Sequence, residues 1–176
     1  PACQRRVVAR PAGELLVLRE VEGRRAGTEN LLGIVGMGQA ASEALRELPT
    51  ILDRLPPLRD RLIQGILKGE PEGSLNGHPS ERLPGHASVS FPGLDAESLV
   101  LALDLEGFSV GLGSACVSQA MKASYVLKSM GVEELRALGT ITVGLSSQST
   151  EEDLHRFLNV LPKVLAAQRR TVEMTR

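Results

Sequence analysis

The stretch LGSACVSQA, residues 112–120, holds Cys116, one of two cysteines in the 176-residue chain. Gly113, Ser114 and Ala115 lead into it, and small or polar residues follow. The segment comes after an apolar strand pattern and before a helical one. A thiol placed there can act as a nucleophile, because small neighbours leave access and a pliant backbone lets the sulfur move. Local features alone favour the other reading, a small inert core side chain, since free cysteines are commonly buried. Cys3 has no partner pattern. His78, His86 and His155 are scattered. No pair of them has metal-ligand spacing, so no metal site is expected. His155 reads as a residue of a solvated helix face. His86 opens a strand and suits either a structural role or a place near a ligand.

Two further stretches invite chemistry. Arg24, Arg25 and Thr28 in GRRAGTEN stand at a helix start, where a phosphate or carboxylate can bind. An ordinary capped helix with two surface arginines fits equally well. GIVGMG, residues 33–38, does not fit the G-x-G-x-x-G spacing and follows no strand. Its glycines lie within a helical pattern and are expected to permit close packing.

The whole chain limits the classes open to it. Hydrophobic residues make up 42% and aromatic ones 2%, so the core must come from Leu, Val, Ile and Ala. The length suits one domain with a proper core. A net charge of −1 without like-charge blocks gives no electrostatic case for nucleic acid or a membrane surface. No apolar run reaches the ~18 residues of a membrane span. PACQRRVVAR lacks the apolar core of a signal peptide. Two cysteines make no disulfide framework, which leads to the expectation of a reduced, cytoplasmic protein.

The elements that must hold these residues follow from periodicity. RRVVA and ELLVL suit short strands around a turn at residues 11–13. A helix is expected from about Thr28, capped by it, with Leu31, Ile34, Val35, Ala41, Leu45 and Leu48 at helical spacing and Pro49 as its end. A second helix follows Pro56-Pro57, and residues 69–85 read as a long connection. ASVSF (87–91), FSVGL (108–112) and ITVGL (141–145) alternate as strands with one polar face. Asp95 is placed to cap a helix reaching about Leu105, and another covers roughly 123–130. Ser149 and Glu152 have capping-box spacing at the start of the last helix, which Pro162 is expected to interrupt. The resulting expectation is an α/β fold, a two-layer domain with a three- to four-stranded sheet covered by helices on one side.

Taken in order, these segments resemble the cysteine desulfurases, pyridoxal-phosphate enzymes of the class V aminotransferase superfamily. GRRAGTENLLGIVGMGQA, LRDRLIQGI, LNGHPSERLPGHASVSFPGLDAESLVLALD, GSACVSQAMKASYVLKSMGV and STEEDLHRFLNVLPKV carry the resemblance from about Gly23 onward. The resemblance implies the small domain of a fold type I transferase, with residues 1–27 as an irregular junction and 28–176 as the small domain with its linking helix. It implies that Cys116 attacks the sulfur of L-cysteine held on pyridoxal 5'-phosphate. A persulfide then forms on Cys116 and alanine leaves, for iron–sulfur cluster assembly or other sulfur transfer through an acceptor or scaffold protein. Thr28, beside Arg25, would reach the cofactor phosphate of the other subunit in a homodimer. Arg24, His86 and Ser114 would rim the substrate pocket.

The chain departs from the pattern in places. It corresponds to the back part of such an enzyme, so the cofactor lysine would lie upstream of Pro1. Thr142 stands where the family places the arginine that binds the substrate carboxylate. LREVE replaces a glycine-rich Gln-Glu stretch, and Lys122-Ala123 replaces Glu-Pro. The 176 residues alone are therefore expected to be inactive. The alternative reading is a diverged, non-catalytic sulfur-carrier or interaction module.

Overall fold

The computed structural model describes residues 30–113 and 123–175. By its internal contacts the chain divides into two units, residues 1–46 and 47–176. The described part of the first unit is the start of helix α1 (Leu31–Gly69). Asn30 caps it, its Oδ1 accepting the Gly33 amide at 3.0 Å. Thr28, expected as the cap, lies outside the described residues. Leu31, Leu32, Ile34, Val35 and Met37 are exposed along this stretch.

The second unit contains the sheet. Strands β1 (Ser74–Leu75), β2 (His86–Ser90), β3 (Gly111–Leu112) and β4 (Thr140–Gly144) are ordered β1-β2-β4-β3, with every neighbouring pair antiparallel. Alternation divides the sheet into two faces. Ala87, Val89, Ile141 and Val143 are buried on one face. Against that face pack the later part of α1 (Leu55, Leu58, Leu62, Ile66), helix α2 (Ala96–Leu105) through Leu99 and Leu103, and helix α5 (Glu151–Thr175) through Leu154, Phe157, Leu161 and Leu165. The other face carries Ser88, Ser90, Thr140 and Thr142, paired across the β2–β4 ladder. Helices α3 (Tyr125–Ser129) and α4 (Glu134–Leu138) form a separate small cluster of Ala123, Leu127 and Ala137. This is the expected two-layer α/β arrangement.

The elements differ from expectation in ways that packing explains. Pro49 does not end the first helix, and Pro56-Pro57 do not start a second: α1 runs through all three as 39 residues. An interior proline costs roughly 3 kcal/mol and frees a carbonyl one turn back. The carbonyls freed here belong to Leu45, Leu52 and Asp53, which are exposed and reachable by water. The buried stripe from Leu55 to Ile66 favours continuation. Pro162 likewise lies inside an uninterrupted α5. That helix is capped one residue later than expected. Thr150 Oγ1 accepts the Asp153 amide at 3.1 Å, and Asp153 Oδ2 accepts the Thr150 amide at 3.0 Å. The Thr150 hydroxyl also donates to Asp153 Oδ2 at 2.7 Å, and that bond, followed by the one from the Thr150 amide, lowers the Asp153 pKa from its ordinary value.

Asp95 caps α2 as expected, its Oδ2 accepting the Ser98 amide at 2.8 Å. Phe108 and Val110 fall outside the short β3 yet pack on the core. Phe108 stands edge-on to Phe157 at 5.3 Å, under the Arg156 guanidinium. Arg169 makes a paired bond to the buried Glu70 at 3.0 and 2.8 Å, joining the end of α1 to α5. Those bonds raise the Arg169 pKa above its ordinary value.

Candidate functional site

The polar sheet face is the floor of a cavity of about 350 Å³. His86, Ser88 and Thr142 line the floor. Asn76, His78 and Arg82 come from the turn after β1, and Val126, Leu127 and Met130 from the α3 region opposite. Gly113 and Ser124 also line it. These two residues stand on either side of the segment that carries Cys116. Cys116, Ser114, Thr28, Arg25 and Arg24 themselves lie outside the described residues. Of the pocket candidates, His86 is at the cavity, and so is Thr142, singled out as a departure. His155 lies exposed on α5, as expected.

Three polar residues that sequence reasoning did not single out organise the floor. Asn76 Nδ2 donates to Ser88 Oγ at 3.1 Å and to Ser90 Oγ at 2.8 Å. Ser90 Oγ lies 2.7 Å from Thr140 Oγ1, which donates to the Arg136 carbonyl at 3.2 Å. Ser90 and Thr140 have no exposed surface. A buried hydroxyl chain of this kind is tolerable because each member is partnered. Its only trace in the sequence was the serine alternation of ASVSF. The Thr140 carbonyl also accepts the Gly113 amide at 3.2 Å, which ties the start of the Cys116 segment to β4.

The electrostatics are sparse. Among the described residues Arg82 is the only arginine or lysine side chain on the lining. Its Nε donates to the His78 carbonyl at 2.9 Å, and Nη2 donates to the carbonyls of Asn76 and His78. Burial, and then the neighbouring Arg59, lower its pKa from the ordinary value. Arg82 therefore shapes the 76–78 turn and lends the cavity positive potential, but few free donors. Among the described residues the lining contains no lysine. The described residues thus supply no amine for a pyridoxal Schiff base, and the expected phosphate contacts, Thr28 and Arg25, fall outside them. Among the described residues no group of three His, Cys, Asp or Glu side chains is placed to hold a metal ion, and no helix is long and apolar enough to cross a membrane.

A small α/β sheet domain, with a polar cavity at the roots of a cysteine-bearing segment, defines the class. The aminotransferase class-V family model matches residues 16–157. The chain belongs to that family. Among curated proteins it is 42% identical over 149 residues to the cysteine desulfurase IscS of Clostridium botulinum (strain Hall), covering 84% of this chain and 38% of that one. It is 43% identical over 144 residues to cysteine desulfurase IscS 1 of Archaeoglobus fulgidus, covering 82% and 37%. Its fold superposes on a NifS-like protein with a TM-score of 0.69 at 29% identity, covering 80% of this chain and 35% of that one. A NifS-like protein from Rickettsia africae gives the same TM-score at 27% identity, covering 80% and 36%. The chain spans less than two fifths of the length of these curated relatives.

Proposed function

We propose that this chain carries the sulfur-accepting cysteine of a cysteine desulfurase. The Cys116 thiolate attacks the sulfur of L-cysteine. A sulfur–sulfur bond forms and the substrate Cβ–S bond breaks. The electron pair stays with Cβ, which takes a proton and leaves as alanine, while Cys116 holds the persulfide. The supporting observation is that Gly113 and Ser124, at the two ends of the Cys116 segment, line the same polar cavity as His86 and Thr142. Similarity to cysteine desulfurases over more than four fifths of the chain supports the same reading.

The cofactor of the whole enzyme is pyridoxal 5'-phosphate, with Thr28 and Arg25 at its phosphate, Thr28 across a homodimer. Arg24 and Ser114 stand at the pocket rim. The persulfide passes to an acceptor or scaffold protein, for iron–sulfur clusters or another sulfur use, in a reducing cytoplasmic setting. The 176 residues alone, given L-cysteine and pyridoxal phosphate, are expected to release no sulfide above background. Robust release would contradict the need for a lysine supplied from outside them.

A second reading, a non-catalytic carrier that receives its sulfur ready-made, is favoured by the neutral Thr142 on the cavity lining. Thr142→Arg separates the two. A guanidinium at this position would pair with a substrate carboxylate, a bond worth roughly 1.5–3 kcal/mol. L-alanine should therefore bind about tenfold or more tighter by calorimetry. Unchanged affinity would show that position 142 does not face the carboxylate and would favour the carrier reading.

A further inference from the structure

The chain has three asparagines, followed by Leu31, Gly77 and Val160. Asn76-Gly77 is the pair open to loss of ammonia, because glycine has no Cβ to crowd the approach of its nitrogen to the asparagine Cγ. The fold keeps a glycine there, since Gly77 has a φ of 83°. It also primes the attacking nitrogen. Arg82 Nη2 donates to the Asn76 carbonyl at 2.9 Å, and a cation on that oxygen draws charge from the peptide nitrogen of Gly77. Among the described residues no acceptor holds the Gly77 N–H. The Asn76 side chain is held the other way. Its Nδ2 donates to Ser88 Oγ at 3.1 Å and to Ser90 Oγ at 2.8 Å, and only 8% of the residue is exposed. Donated bonds strengthen the Cγ–Nδ2 link, which must break. Attack also turns planar Cγ tetrahedral, which pulls Nδ2 out of line with both hydroxyls.

We infer that Asn76 is a latent deamidation site, kept as an amide by Ser88 and Ser90, whose conversion makes the neutral cavity floor anionic. The Gly77 nitrogen bonds to Asn76 Cγ, the Cγ–Nδ2 bond breaks, and the Gly77 proton leaves with Nδ2 as ammonia. Water then opens the cyclic imide at either carbonyl carbon, its second proton returning to nitrogen, to give aspartate or isoaspartate. The new carboxylate is poorly received. Ser90 directs its O–H to Thr140, whose own proton goes to the Arg136 carbonyl, so Ser88 alone is left to donate. Glu81 on the same lining adds a like charge. Isoaspartate would also lengthen the backbone at the bond from the Asn76 amide to the Ser88 carbonyl. None of this depends on the sulfur-accepting reading.

The test is peptide mass mapping of the full chain after incubation in mildly alkaline buffer, folded and in urea. In urea the Asn76 peptide should convert to the acid. In the folded chain conversion should be at least about tenfold slower, because two bonds must be given up. Asn159, which precedes a β-branched residue, should stay an amide in both. Ser88→Ala removes one bond at a half-buried position and should speed conversion in the folded chain about three- to tenfold. Asn76→Asp, which mimics the product, should lower the melting temperature by at least about 3 °C. Equal rates folded and in urea would overturn the inference, as would a Ser88→Ala chain that converts no faster than the wild type. An Asn76→Asp chain that melts with the wild type would overturn the change at the cavity floor.

Discussion

Gly139→Ala is expected to lower the melting temperature by roughly 5–15 °C. Gly139 joins α4 to β4 and sits under the start of β2's exit turn. A Cβ there would overlap the Phe91 carbonyl and lie 2.8 Å from the Leu94 carbonyl. Both obstacles are backbone, and neither can rotate away. Moving the strand end would break the bond from the Phe91 amide to the Gly139 carbonyl, 2.9 Å long, and would lift the fully buried Phe91. Overpacking of this kind costs about 1–3 kcal/mol or more, and a lost buried hydrogen bond adds about 1. Against a typical 5–15 kcal/mol of stability that is a large share, and at roughly 2–4 °C per kcal/mol it gives the stated shift. Gly38→Ala is the matched control. It lies in exposed α1, where a Cβ meets nothing within 4 Å, so it should be neutral or slightly stabilising. Thermal melts followed by circular dichroism check both. An alanine at 139 that melts with the wild type would mean that the β4 start is placed wrongly.

The second large effect is chemical. In any preparation of the protein that turns over L-cysteine, Cys116→Ser should reduce alanine formation by at least about 1000-fold, because a serine hydroxyl is not ionised near neutral pH and cannot hold a persulfide. Cys3→Ser should leave the rate within about twofold. The melting temperature should not change in either variant, which separates a lost nucleophile from a lost fold. Alanine formation that survives Cys116→Ser would move the chemistry to another group.

The parts of this fold that could be read in advance were those where one residue type meets one local demand. Ala87 and Val89 alternating with Ser88 and Ser90 announced a half-buried strand, and its serine face became the cavity floor. Asp95 announced a helix start that the Ser98 amide bears out. Pro56 and Pro57 misled, because a local breaking tendency lost to the buried stripe that runs from Leu55 to Ile66 on α1. The two-residue β1 could not be seen from its own residues, since Ser74 and Leu75 are in a strand only through pairing with Ser90 and Val89.

For the site, His86 was legible only as the first residue of a strand. Its relation to Thr142 comes from the antiparallel register of β2 and β4, elements some fifty residues apart in sequence, which no local pattern encodes. Arg82 had no local signal, because its role depends on the carbonyls of Asn76 and His78 that accept from its guanidinium. The place of Cys116 was inferred from the order of neighbouring segments, and Cys116 itself lies outside the described residues.

The central claim is that Cys116 carries sulfur, and peptide mass mapping after exposure to a persulfide donor tests it most directly. The account predicts a gain of one sulfur atom on the peptide containing Cys116, none on the peptide containing Cys3, and loss of the gain on reduction or in Cys116→Ser. Sulfur found on Cys3 instead, or on neither peptide, would contradict it.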